Sequence, residues 1–370
     1  MLNMKTAMLM LIVLAASLAF GETNKSTEAI KTLLNTRTSE SSAKYEAAAR
    51  TVAKDAAEGK VLQRFLVALL SREKDVPRAL QIGADKREEY LASSRDKIRF
   101  LAEKRNNSLA WYLLAMETND IDMLKKAADA GNVQAMNAYA TISLNHAMSG
   151  RVSAEAMEKA MKDGFEYFNK AAAQNDANGI YNLGMCYMRG YSVAPDPEKA
   201  RECFFTAARQ NHPEAINNIG GFYRDGITLE RDPVKAARWF AKSADLGNAY
   251  GELNYALALL RGEGVVQDEE RAIRLLKSSS QRGNAEAMNA LAECLHAGIG
   301  TSQDIPAAIR LYRKAADGGL AVAMDHYADC YERGEGLPQN QEAANIWRMK
   351  ARAARGDAAS AEWLRQSGVE

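Results

Sequence analysis

The chain is predicted to be all-α, a solenoid of 36-residue helix-turn-helix repeats with a helical N-terminal extension. Three observations predict it. A glycine returns every 36 residues, at Gly190, Gly226, Gly262, Gly298 and Gly334. A fixed period on the order of 20–50 residues marks stacked supersecondary units. Each period also holds two stretches whose apolar residues recur at helical spacing. Finally, a short polar residue stands at one offset in every copy: Asp196, Asp232, Asp268, Asp304 and Asn340.

Composition agrees with a folded stack and narrows its uses. Of 370 residues, 47% are hydrophobic and 26% charged, with a formal charge of +1. A near-neutral chain exerts no global pull on nucleic acid or anionic membranes, so no nucleic-acid partner is expected.

Residues 1–21 read as an export signal. Lys5 precedes the apolar run Ala7–Phe20, and Ala19-Phe20-Gly21 offers small residues for cleavage near Gly21. As a helix this run spans about 21 Å, short of the ~30 Å hydrocarbon core. No later segment is apolar enough to span a membrane. The expected location is therefore periplasmic or secreted.

Residues 22–107 lie outside the repeat register. Helical patterns occur at Thr27–Leu34, Ala43–Ala57, Lys60–Leu70, Pro77–Ala92 and Asp96–Lys104. They fit degenerate repeats or a capping bundle. The repeat region is 108–370. A truncated copy at about 108–132 leads into 133–176, which is eight residues longer than the rest, with the insertion near 149–162. Regular copies follow at 177–212, 213–248, 249–284, 285–320 and 321–357, and 358–370 reads as a terminal first helix acting as a cap.

Within a copy, the first helix ends at the shared glycine, where the chain takes a left-handed turn. The Asp or Asn then caps the second helix by accepting its free N–H groups. Pro197 and Pro233 sit where a helix start tolerates proline. Leu183, Ile219, Tyr255, Leu291 and Tyr327 form one expected core row, with small residues beside it at Gly184, Gly220, Ala256, Ala292 and Ala328. Phe204, Phe240, Leu276 and Tyr312 form the facing row, with alanines at 200, 236, 272, 308 and 344. Trp239 and Trp347 are read as core; Trp111 and Trp363 are read as packed caps or exposed anchors.

The run Tyr181-Asn182-Leu183-Gly184-x-x-Tyr187-x-x-Gly190, followed by Asp196-Pro-Glu-Lys199-Ala200, resembles the Sel-one-like repeat. So does Asn218-Ile219-Gly220-x-x-Tyr223-x-x-Gly226, followed by Asp232-Pro-x-Lys235-Ala236 and Trp239-Phe240. Gly334-Glu-Gly336 and Lys314-Ala315-Ala316-Asp317 match the same pattern. The resemblance covers about 108–370. It implies a right-handed superhelix related to tetratricopeptide repeats and used as an adaptor in protein complexes.

No catalytic motif is legible. G-x-S-x-G, Walker, H-E-x-x-H and C-x-x-C patterns are absent. Ser41–Lys44, Ser71–Lys74 and Ser94–Lys97 match S-x-x-K without its partner motifs. The chain is read as no enzyme, with no cofactor and no metal. His326 and Cys330 share a helix face, but no third ligand accompanies them.

Cys186, Cys294 and Cys330 occupy one repeat position. Cys294 and Cys330 are expected as thiols, because neighbouring helix axes stand too far apart for a bridge. Cys186 and Cys203 lie level across one hairpin. Packed thiols are the favoured reading and a disulfide is the alternative.

Asn182, Asn218 and Asn254 form an amide row on the first helices, continued by Ala290 and His326. Tyr181, Asn217, Asn289 and Asp325 lie next to it. First helices line the concave face in the resembled stacks, and amides can hold an extended peptide backbone. The alternative use of these amides is within the repeat itself. The function expected is a non-enzymatic adaptor that binds a protein or peptide on that face. The competing reading is an envelope-associated enzyme or small-molecule binder, with its site in the N-terminal helices or the 149–162 insertion.

Overall fold

The computed structural model describes residues 83–149 and 151–368, and all regular structure among them is helical. The helices expected at Thr27–Leu34, Ala43–Ala57 and Lys60–Leu70, and the export signal, lie outside the described residues. Two compact units are divided after Gly179.

The first unit holds α1 (Ala84–Arg105), α2 (Ser108–Thr118), α3 (Ile121–Asp129), α4 (Val133–Met148) and α5 (Ala154–Ala173). Sequence reading placed a break between Ala92 and Asp96. Instead α1 is continuous: the Ser93 hydroxyl donates back to the Tyr90 carbonyl at 3.2 Å, and Ser94 is buried. Nearby Arg95 pairs with Glu117 of α2. Tertiary contact has overridden two serines of indifferent helix propensity. The extra residues near 149–162 lengthen helices rather than a loop: α4 has 16 residues and α5 has 20.

Helix α6 (Ala177–Arg189) straddles the division. The second unit continues with α7 (Pro197–Arg209), α8 (Pro213–Asp225), α9 (Pro233–Asp245), α10 (Ala249–Arg261) and α11 (Glu269–Gln281). It ends with α12 (Ala285–Ala297), α13 (Ile305–Asp317), α14 (Ala321–Arg333), α15 (Gln341–Ala354) and α16 (Ala358–Ser367). From α6 to α14 every helix has 13 residues.

That constancy has visible stops at both ends. Asp196, Asp232, Asp268, Asp304 and Asn340 each accept the N–H three residues on, at 2.9–3.0 Å. The five period-marking glycines all stand at positive φ, between 66° and 74°. One further row was not legible. The first helices are capped by Asp176, His212, Asn248 and Asn284, each accepting the N–H three residues on.

The expected core rows are buried. Ile219, Phe204, Leu276 and the alanines at 200, 256, 272, 292, 328 and 344 are sealed from solvent. A Cβ on Gly220 would stand 2.6 Å from the Phe240 ring, so small residues there admit the aromatic row. The tryptophans differ from expectation. Trp239 and Trp347 are half-buried, because their row lies at the edge of the buried arc beside Phe240. They pack edge-on against Phe205 and Tyr327. Trp111 is buried and donates to Asn106, whereas Trp363 is 43% exposed. No described helix is long and apolar enough to cross a membrane.

Candidate functional site

The phase of each first helix is set by its buried row. Asn182, Asn218 and Asn254 precede buried Leu183, Ile219 and Tyr255 by one residue, about 100° round the helix, and all three are half-buried. They do not form a free row. Asn254 Nδ2 donates to Asn217 Oδ1 at 2.8 Å, 37 residues earlier. His326 Nδ1 lies 2.9 Å from Asn289 Oδ1, again 37 residues earlier. Asn218 Nδ2 donates instead to Met185 Sδ on the preceding first helix, at 3.5 Å. At the remaining rung, Leu253 and Ala290 replace the polar pair and are buried. Amide capacity on this face therefore goes largely into bonds between neighbouring first helices.

The other candidates are also engaged. Tyr181 stacks on His212 with ring centroids 4.5 Å apart, and burial raises its hydroxyl pKa. Asn289 donates to Glu293 at 2.7 Å, and Asp325 pairs with Arg355. Asn182 is the one ladder amide with no side-chain hydrogen bond among the described residues.

Asn217, Asn218 and Asn254 are brought together at one groove. It encloses about 250 Å³ and is lined by Met185, Met188 and Arg189 of α6 and by Gly221, Phe222 and Arg224 of α8. Tyr181, Asn182, Asn289, Asp325 and His326 do not line it. The methionines and arginines were missed by sequence reading, although helical spacing carried the signal. Asn182, Met185 and Arg189 fall at i, i+3 and i+7, one stripe of a helix.

Arg224 is the best-held charge in the groove. Its Nε and Nη2 donate to the two carboxylate oxygens of Asp225 at 2.7 and 2.8 Å, and Nη1 reaches Asn254 Oδ1 at 3.3 Å. The Arg224 side chain, hydrogen-bonded to Asp225, holds that carboxyl below its usual range. A smaller cleft of about 50 Å³ adjoins, sharing Arg224 and Asn254 and adding Arg231, Leu257, Arg261 and Glu263.

The cysteines offer no chemistry here. All four are free thiols, so the Cys186–Cys203 bridge is not formed. The two residues lie out of phase. Cys203 Cβ lies 2.9 Å from where a Cβ on Gly184 would stand, and Gly184 and Cys186 are about 200° apart round α6. Burial pushes the Cys186 thiol to about 12 and the Cys203, Cys294 and Cys330 thiols to about 11. Such thiols stay neutral and unreactive near pH 7. Buried Ser94 and exposed Lys97 do not form a nucleophile–base pair. Among the described residues no three His, Cys, Asp or Glu side chains are grouped to hold a metal.

Known proteins place this architecture. The Sel1 repeat model matches residues 156–176, 177–212, 213–248, 249–284, 285–320 and 321–347, just over half of the chain. A Sel1 repeat protein of Oxalobacter formigenes is similar at 24% identity, over 69% of this chain and 95% of that one, with a TM-score of 0.52. A protective antigen of uropathogenic Escherichia coli displaying an SLR fold is similar at 25% identity. That match covers 84% of this chain and 65% of the antigen, with a TM-score of 0.55. No curated protein matches the chain in sequence. The chain belongs to the Sel1 repeat family.

Proposed function

We propose that this protein is a non-enzymatic scaffold that takes an extended protein segment on the concave, first-helix face of its repeats, in the groove between α6 and α8. Sel1 repeat proteins generally act as protein-interaction scaffolds. The observation that carries the finer reading is the groove itself. Its volume of about 250 Å³ suits one large side chain. Met185 and Met188 give it an adaptable apolar wall, and Asn217, Asn218 and Asn254 border it with amides. The basic start, apolar run and small residues before Glu22 support export, which places the partner in the periplasm or outside the cell.

A second reading has its own observation. In the first unit, α3, α4 and α5 enclose a cleft of about 290 Å³ lined by Ile121, Tyr139, Ile142, His146, Lys159 and Asp163. It is mainly apolar with a few polar groups, as a small-molecule site would be.

Photo-cross-linking separates the readings. A benzophenone side chain is placed at Met188, at Ile142 or at exposed Arg238 of α9, and the full chain is irradiated in its own cells. A protein adduct from Met188, absent from Arg238, is the expected result. Adducts from Arg238 alone would sink the groove reading. Capture of a small molecule from Ile142 alone would shift the function to the cleft.

A further inference from the structure

The groove and its neighbouring cleft differ in chemistry, and that difference specifies a partner. This inference rests on the groove reading and adds the partner's composition. The groove between α6 and α8 is walled by Met185, Met188 and Phe222. The cleft between α8 and α10 is rimmed by Arg231 and Arg261, with Glu263 as its acid. Arg224, shared by both, is neutralised by its two bonds to Asp225. Arg231 Nε donates to the Arg224 carbonyl at 3.1 Å and forms no ion pair among the described residues, although its charge also helps hold Asp225 ionised. Arg261 is exposed and forms no ion pair among the described residues. Arg189 extends the same sign at the groove's other rim, with its Nη1 3.3 Å from the Tyr191 hydroxyl. Around groove and cleft together, the four arginines Arg189, Arg224, Arg231 and Arg261 thus outnumber the two carboxylates of Asp225 and Glu263.

Helices in direct contact stand about 8–10 Å apart, consecutive first helices at least that far, and an extended chain advances about 3.3 Å per residue. A segment crossing α6, α8 and α10 therefore moves from groove to cleft in about three residues. We infer that the partner is an extended protein segment with a large apolar side chain for the Met185–Met188 groove. It carries an Asp or Glu about three residues away for the Arg231–Arg261 cleft. Guanidinium recognises a carboxylate through paired N–H donors, so the acidic residue also sets the register.

The test is selection of phage-displayed random dodecapeptides on the full chain, followed by anisotropy with the enriched peptides. Expected winners carry Leu, Met or Phe about three residues from Asp or Glu. Arg261→Glu should weaken them about tenfold or more, while an Asp→Lys version of the winner should prefer that variant. Arg261→Gln keeps the exposed helix end neutral and should give a smaller loss. Circular dichroism of both variants reports folding separately. Winners that lose binding in Met188→Asp but not in Arg261→Glu, or that lack an acid, overturn the inference and leave the groove reading standing. If no peptide is enriched, both fail together.

Discussion

The two units solve one problem by different means. In the second, helices from α6 to α14 share one length and one set of small positions, and all but α14, which follows Leu320, start at a side-chain cap. In the first, helix length ranges from 9 to 22 residues, and side-chain networks do the aligning. Tyr167 of α5 donates to Asp129 of α3, and Lys125 donates to Tyr167 at 3.1 Å. Lys125 also lies 5.9 Å from the Tyr139 ring centre on α4. Asn137 donates to Asp176 at 2.7 Å. Repetition lets small local preferences sum into register. Where repetition lapses, a few specific polar contacts must fix how helices meet.

The largest expected effect breaks the regular unit. Gly264 stands at φ 71°, and a Cβ there would lie 2.0 Å from the Pro233 carbonyl oxygen. Gly264→Ala should cost about 3 kcal/mol or more, read as a lowered midpoint in urea. Thr228 holds the equivalent place one repeat earlier at φ 56°, so that loop tolerates a side chain. A cost below about 1 kcal/mol would show that the loop simply moves aside.

Tyr167→Phe sharpens the contrast. Removing the hydroxyl should cost about 1–2 kcal/mol, seen as faster amide exchange in α3 to α5 with α8 to α14 unchanged. Uniform acceleration would mean the units do not differ in this way. In the second unit, Asp232→Ala removes one cap and should cost about 1 kcal/mol, felt first at the start of α9. Asn254→Ala breaks one rung between α8 and α10 and should cost about 0.5–1.5 kcal/mol. A larger loss would mean that the ladder is chiefly structural.

The smallest effect is on pH. Desolvation opposes ionisation of Asp129, but bonds from Tyr167 and Lys125 overcome it and hold its pKa below the usual carboxylate value. A depressed carboxylate adds stability above its unfolded pKa of about 3.9, and that stability is lost as pH falls through the folded value. Acidification from pH 6 towards 3 should therefore loosen α3 to α5 in the native chain more than in Asp129→Asn. Solvent screens this half-exposed group, so the difference will be modest.

Legibility followed the same divide. The second-helix caps, the glycine stops and the core rows could be read because each recurs five or nearly five times. The continuous α1 could not, since Ser93 and Ser94 are weak helix formers held by Tyr90 and by packing across to α2. At the site, the sequence placed Asn217, Asn218 and Asn254 on one face but not the bonds among them. It missed Met185, Met188 and Arg189, whose helical spacing marked a stripe but not that the stripe lines an open groove.

By itself the sequence determined the period, the helix pair, its caps and the residues that must be small, because each follows from backbone geometry within about 36 residues. Only the tertiary structure decided how these positions are used. It paired Asn254 with Asn217 rather than with a ligand, turned Cys203 towards Gly184 rather than Cys186, and left Trp363 half in solvent. Those outcomes depend on the phase of one helix against its neighbour. That phase is set by packing across repeats, which no single copy contains.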